Sequence, residues 1–364
     1  MAPKEGHQEA LTDLITSTLA LLGHFVSSLS TPTPTPTTPN PPNPLHILHD
    51  SALLLKAHTT KLSLLAINKP FTPSAVITVL RDLASTCLPA MISANQILTQ
   101  EKSAWGSFTG KEAELRTRRV FKEMEMLLQE VQAISQGDST VVSRRRDSLA
   151  STGVVWESCD ALAELKKLGI AGLAVQKAEQ WRETVKDAIE ELHEWMEGED
   201  LETEGQKDAL LDSDDEGVAG DADSLDDIFN AANSLPADRP ELKALVVEAL
   251  GKLRKVVLLY AALGKRRLKT FTTGDGDSKE GRAERLDRLM VALRRVPHLV
   301  DELASAFYEL DEEVVKSQLK GCVDEAKGAS RIAKLSWEGR EDEFSAWRSK
   351  WIEAIDADPA PAKG

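Results

Sequence analysis

The stretch RPELKALVVEALGKLRKVVLLYAALGKRRLKTF, residues 239–271, decides the fold. Pro240 carries the fixed φ that suits a first helical turn, where its missing amide hydrogen would be unpaired in any case. Asp238 or a neighbour is the expected cap. From there Leu242, Leu245, Val246, Leu250, Leu253, Val257, Tyr260 and Leu263 recur at three- and four-residue intervals. That period puts them on one face of a long α-helix. Lys265, Arg266, Arg267 and Lys269 follow, where positive charge complements the C-terminal end of the helix dipole. A lone helix of this kind is marginal in water, so its apolar face calls for further helices.

The same period continues on both sides. Toward the N-terminus, residues 7–30 carry Leu11, Ile15, Leu19, Leu22, Val26 and Leu29 on one stripe. Further helices are expected over 45–67, 72–101, 109–134, 142–168 and 171–196. Thr72 is placed to cap the second of these, with Pro73 in its first turn and a kink near Pro89; Gly169 separates the last two. Toward the C-terminus, a short helix is expected at 225–233. Longer ones follow over 240–263, 281–310 with a bend at Pro297, 311–335 and 340–355. No run shows strand alternation with hairpin turns. The expected fold is all-α, with two antiparallel bundles of long helices.

Two segments break the pattern. TPTPTPTTPNPPNP, residues 31–44, has seven prolines and reads as a polyproline-like tether. Residues 197–227 hold fourteen carboxylates against the single base Lys207, a balance of −13 in a chain of net charge −15. Such a block buries too little apolar surface to offset its ordering entropy, so a disordered acidic loop is expected. The organisation expected is an N-terminal helix at 1–30, a linker at 31–44, a bundle at 45–197, an acidic linker at 198–224, a second bundle at 225–355 and a tail at 356–364.

Composition narrows the classes. A hydrophobic fraction of 41% with 28% charged residues is that of a globular protein, and 5% aromatics leaves the cores to Leu, Val, Ala and Ile. The acidic balance argues against direct nucleic-acid binding. Cys87, Cys159 and Cys322 are too few and too scattered for a disulfide framework or a zinc site. The start MAPKEGHQEA lacks a signal-peptide pattern. The apolar stretch 11–29 contains Asp13 and His24 and reads as an amphipathic helix, not a membrane span. Cytoplasmic and nuclear localisation is expected.

No residues assemble into a catalytic motif, and no cofactor or metal is expected. His46, His49 and His58 share one helix, but at most two could converge on an ion. Asp212, Asp214, Glu216 and Gly217 fall at calcium-loop positions, yet Asp223 stands where a bidentate glutamate is needed and Ala219 where an apolar residue belongs. Ser213, followed by three acids, suits an acid-directed kinase. Lys265, Arg266, Arg267 and Lys269 either complement the helix end or form an import or partner patch; Arg144–Arg146 is a second basic cluster. Trp181, Trp195, Trp347 and Trp351 stand at helical spacing as core or groove-facing anchors.

LKAHTTKLSLLAINKPFTPSA (55–75), STGVVWESCDAL (151–162), the acidic gap and the stretch 239–271 occur in an order that resembles the cyclin-D-binding, or Grap- and cyclin-D-interacting, protein family, particularly its fungal members. The resemblance implies two helical domains around an acidic segment. It also implies a non-enzymatic regulator that binds cyclin-like or helix-loop-helix proteins and restrains cell-cycle progression. Partner helices would lie in grooves of the bundles. The alternative is a transcriptional regulator that sequesters helix-loop-helix factors in the nucleus. Oligomeric state stays open.

Overall fold

A computed structural model of the chain describes residues 2–30, 41–137, 145–198, 235–236, 238–273 and 278–357. It is all-α, with no strand among the described residues. The helices are α1 Ala2–Ser30, α2 Pro44–Ile67, α3 Pro73–Asp82, α4 Leu88–Gln100, α5 Lys102–Ser135, α6 Arg145–Glu197, α7 Pro240–Leu263, α8 Ser278–Tyr308, α9 Glu312–Ile332 and α10 Glu343–Asp356. The residues 31–40, the acidic segment, the short helix expected at 225–233 and the tail from 358 lie outside the described residues.

The helices gather into two compact units, Met1–Leu173 with Thr272–Asp287, and Ala174–Phe271 with Arg288–Gly364. These units do not coincide with the domains expected at 45–197 and 225–355. Residues 1–30 belong to the first unit, residues 174–197 to the second, and 272–287 return to the first. A break in composition marks where burial fails; it does not say which apolar faces meet.

In the first unit, α2 packs on α3 and α4, while α1 packs on α3 and α5. Leu11, Ile15 and Leu22 of α1 are buried with Leu48, Leu55 and Leu62 of α2, Leu80, Met91, Phe121, Met124 and Leu128. Each such side chain contributes roughly 1.5–3 kcal/mol on leaving water. Segments Gly6–Ser30 and Pro73–Gln100 are long and apolar enough to cross a membrane by length and composition. In the structure, their buried residues line the core of this unit.

Local chemistry explains most boundaries. Asn43 caps α2, its Oδ1 accepting the amides of Leu45 (3.0 Å) and His46 (3.3 Å). Thr72 sits before α3 but does not cap it with its side chain; the hydroxyl instead donates to the Pro70 carbonyl at 3.2 Å. The kink expected near Pro89 takes the form of a π-helical turn at Leu83–Cys87, just before the proline that cannot donate its backbone bond. Helix α5 begins at Lys102, seven residues before its expected start, and breaks at Gly106 (φ 74°, ψ 152°), a region open to glycine. Gly169 interrupts α6 in the same way, with φ 59° and ψ −171°.

In the second unit, α7 packs on α9 and α10. Its first residue follows Arg239, which makes no side-chain cap, and Asp238 is exposed. The amphipathic reading of α7 holds at Leu242, Val246, Leu250, Leu253, Tyr260 and Leu263, all buried, while Leu245 and Val257 are half-buried. Burial also takes in Ala249, Val256 and Leu259. Asp311 caps α9 through the amides of Glu313 (3.2 Å) and Val314 (3.1 Å).

Candidate interaction surface

Helix α7 ends in a second π-helical turn, Gly264–Leu268, and this turn organises one end of the second unit. Arg267 points inward and is 2% exposed. Its guanidinium forms a two-pronged bridge to Asp342, Nη1 to Oδ2 at 2.7 Å and Nη2 to Oδ1 at 2.8 Å. It also donates to the carbonyls of Ala333 (2.8 Å), Lys334 (3.1 Å) and Arg266 (3.0 Å), and stacks 4.5 Å from the centre of the Phe344 ring. Only a planar guanidinium could serve so many acceptors at once. The Arg267 carbonyl in turn accepts the indole N–H of Trp337 at 2.7 Å, and Trp337 meets Phe271 edge-on at 4.8 Å.

Asp342 serves two purposes. Besides receiving Arg267 it caps α10, accepting the amides of Phe344 (3.1 Å) and Ser345 (3.2 Å), while Ser345 Oγ accepts the Asp342 amide at 3.2 Å. The Arg267 guanidinium and these amides hold the Asp342 carboxyl well below its usual range, at about 2. Trp351 adds a third tie, its indole N–H reaching the Lys255 carbonyl at 2.8 Å.

These ties open a recess of about 270 Å³ between the C-terminal end of α7 and the start of α10. Ala261, Ala262, Phe344 and Trp347 give it apolar walls; Lys265, Arg266 and Glu343 form its rim. Arg266 and Glu343 are ion-paired. Half-buried Trp347 lies 5.5 Å from Phe344 and 6.2 Å from Trp351, ring centre to ring centre, and both of those neighbours are buried. An apolar recess with a charged rim can accept a side chain of a protein partner.

The expected basic patch is therefore divided. Lys265, Arg266 and Lys269 are exposed, but Arg267 is enclosed and fully engaged, so the four do not share one surface. Its position in the run looks like one more charge; only Asp342, 75 positions away, turns it inward. Ser213, the calcium-like run and Arg144 lie outside the described residues, as do the side chains of Arg145 and Arg146. Asp342 and Ser345 escaped the sequence reading, although an aspartate three residues before a serine at the head of an aromatic helix is a capping signal.

Elsewhere, His46 and His49 line an open depression with Lys166 and Lys167, and His49 Nδ1 meets Asp50 at 2.8 Å. Glu164 lines the same depression and Asp50 stands 3.8 Å from the Lys166 ammonium, so its charges are mixed. Among the described residues no three His, Cys, Asp or Glu side chains converge on a common point. Trp195 is buried against Phe307 and Tyr308, while Trp181 is half-buried. Cys159 and Cys322 are buried, which pushes both thiols up to about 12; Cys87 is raised by the same cause.

Fold and surface thus define an all-helical, two-unit protein with an apolar recess in its second unit and an acidic segment between α6 and α7. Residues 47–198 match the sequence model of the Grap2 and cyclin-D-interacting N-terminal region, which supports assignment of the chain to that family. It is a binding and regulatory family rather than an enzyme family. An uncharacterised protein of Schizosaccharomyces pombe is 27% identical over 311 residues, covering 85% of this chain and 84% of that one. An uncharacterised protein of Saccharomyces cerevisiae is 25% identical over 319 residues, again covering 85% and 84%.

Proposed function

We propose that this chain is a non-enzymatic regulatory protein that binds cyclin-like or helix-loop-helix partners and restrains cell-cycle progression, taking partner helices into grooves of its own bundles. The observation that carries this reading is the match of residues 47–198 to the Grap2 and cyclin-D-interacting region. The apolar recess at Phe344 and Trp347 supports it by offering a place for a partner side chain. The same reading places the protein in cytoplasm and nucleus and makes Ser213 a phosphosite that adds charge to the acidic segment.

The test is quantitative affinity purification of the full-length tagged chain, followed by direct titration of each purified candidate. Enrichment and saturable binding of a cyclin-type or helix-loop-helix protein is the expected result. Enrichment of neither class over a tag-only control would falsify the reading. Imaging of the tagged chain and phosphopeptide mapping check compartment and Ser213 separately. Nuclear sequestration of helix-loop-helix factors is the alternative: it predicts nuclear enrichment that depends on the basic residues of 265–269, of which Lys265, Arg266 and Lys269 are exposed, and a diffuse cytosolic signal of the wild-type chain would count against it.

A further inference from the structure

The outer face of α7 is not the polar face that a surface helix normally shows to water. Ala244, Val247, Gly251, Arg254, Leu258, Ala261 and Lys265 follow one another at alternating intervals of three and four. All are exposed except half-buried Gly251; Val247 is 50% and Leu258 59% exposed. Alternation of three and four is the spacing by which one helix presents a continuous seam to another. The small residues among them let a second backbone come close, and the space over Gly251 is open, with nothing within 4 Å of the point a Cβ would occupy. The seam is about 30 Å long at the α-helical rise. It ends at the recess walled by Ala261, Phe344 and Trp347.

Charge identifies the occupant. Arg254 and Lys265 stand on the seam eleven positions apart and have no ion-pair partner among the described residues. The nearby carboxylates of Glu248 and Glu343 are engaged by Lys252 and Arg266, and Glu241 stands at the far end. A second copy of this chain fits poorly. Parallel pairing in register sets Arg254 against Arg254, and antiparallel pairing about the middle of the seam does the same. Like charges across a helix pair are repulsive.

We propose that this seam docks an acidic amphipathic helix of another protein, with apolar side chains over Val247 and Leu258 and carboxylates eleven residues apart facing Arg254 and Lys265. The proposal rests on the interaction reading above and gives it a location on α7.

The test uses the full-length chain and a synthetic fluorescent helix of the seam's length, with leucines at alternating three–four spacing and glutamates at two positions eleven apart. A counterpart carries lysines in their place. Fluorescence anisotropy should show the glutamate helix binding at least about tenfold more tightly than the lysine helix, an advantage that shrinks with salt. The double variant Arg254→Glu/Lys265→Glu should reverse that preference, and Leu258→Glu should weaken both helices. Val291→Glu, at a 65%-exposed position of another helix, should change neither. Circular dichroism should show unchanged helicity in these surface variants. Failure of the wild-type chain to bind either helix overturns the proposal, as does a preference that survives charge reversal. Sedimentation showing a dimer that Leu258→Glu dissolves would give the seam to a second copy and overturn it too. Partners captured equally by wild type and the charge-reversed chain would remove the seam and leave the interaction reading standing. Absence of any captured partner removes that reading, while the peptide result still decides the seam.

Discussion

Asp287 caps a helix that begins 180 residues before it: its Oδ2 accepts the Ser107 amide at 2.7 Å and its Oδ1 the Phe108 amide at 2.8 Å. These are the first amides after the break at Gly106, where α5 resumes and its donors lack partners within the helix. The carboxylate and the helix N-terminus attract as well as hydrogen-bond. The φ of +74° requires the glycine, and a Cβ at residue 106, within 2.9 Å of Asp287 Oδ1, would also push the capping carboxylate aside.

Asp287→Ala should therefore destabilise the chain by about 1–2 kcal/mol, the usual cost of a lost cap. Gly106→Ala should cost about 1–3 kcal/mol for the backbone conformation alone. Because each change disturbs the other's partner, the double variant should lose less than the two separate losses together, measured by urea denaturation. Strict additivity would show that the carboxylate and the glycine act independently.

Arg267→Ala removes an enclosed guanidinium and strands the carbonyls of Ala333 and Lys334. Breaking a buried ion pair from one side costs about 3–5 kcal/mol, and the partial exposure of Asp342 puts this case at the lower end. Arg267→Lys keeps the charge but not the planar fork, so it should recover only part of the loss. Near-complete rescue by lysine, read as the denaturation midpoint, would mean that charge alone matters here.

Acid should loosen the same end of the second unit. The Asp342 carboxyl is held at about 2 when folded, below its ordinary value of 3.8. Its contribution is complete above about pH 4 and is lost as pH falls through about 2, because the unfolded chain then binds the proton more readily. Asp342→Asn should be less stable than wild type at pH 7, and the gap should narrow steadily below pH 4. A gap that is constant from pH 7 to pH 2 would contradict the role of the ionised carboxylate.

The three cysteines should be unreactive in the folded chain. With Cys159 and Cys322 at about 12, the thiolate fraction at pH 8 is on the order of one part in ten thousand, and burial blocks access as well. Titration with an aromatic disulfide reagent should label none rapidly under native conditions and all three in denaturant. Rapid native labelling of Cys87, whose thiol burial also pushes up, would reveal opening of the π-helical turn at Leu83–Cys87.

Helical class, the breaks at Gly169 and near Pro89, and most of the buried face of α7 follow from the sequence alone. Each depends on residues within a few positions of one another: a period of 3.6, a missing amide, a glycine free to take positive φ. Long-range relations were not legible there. Arg267 reads as the middle of a basic run until Asp342 meets it from α10. Asp287 reads as one more acid on α8 until Ser107 and Phe108 turn their amides toward it. The division of the chain at Leu173 and the return of residues 272–287 to the first unit are likewise decisions of packing. An amphipathic stripe states that a face must be buried and is silent on which surface buries it; the folded chain alone supplies the partner for each face and leaves the outer seam of α7 uncovered.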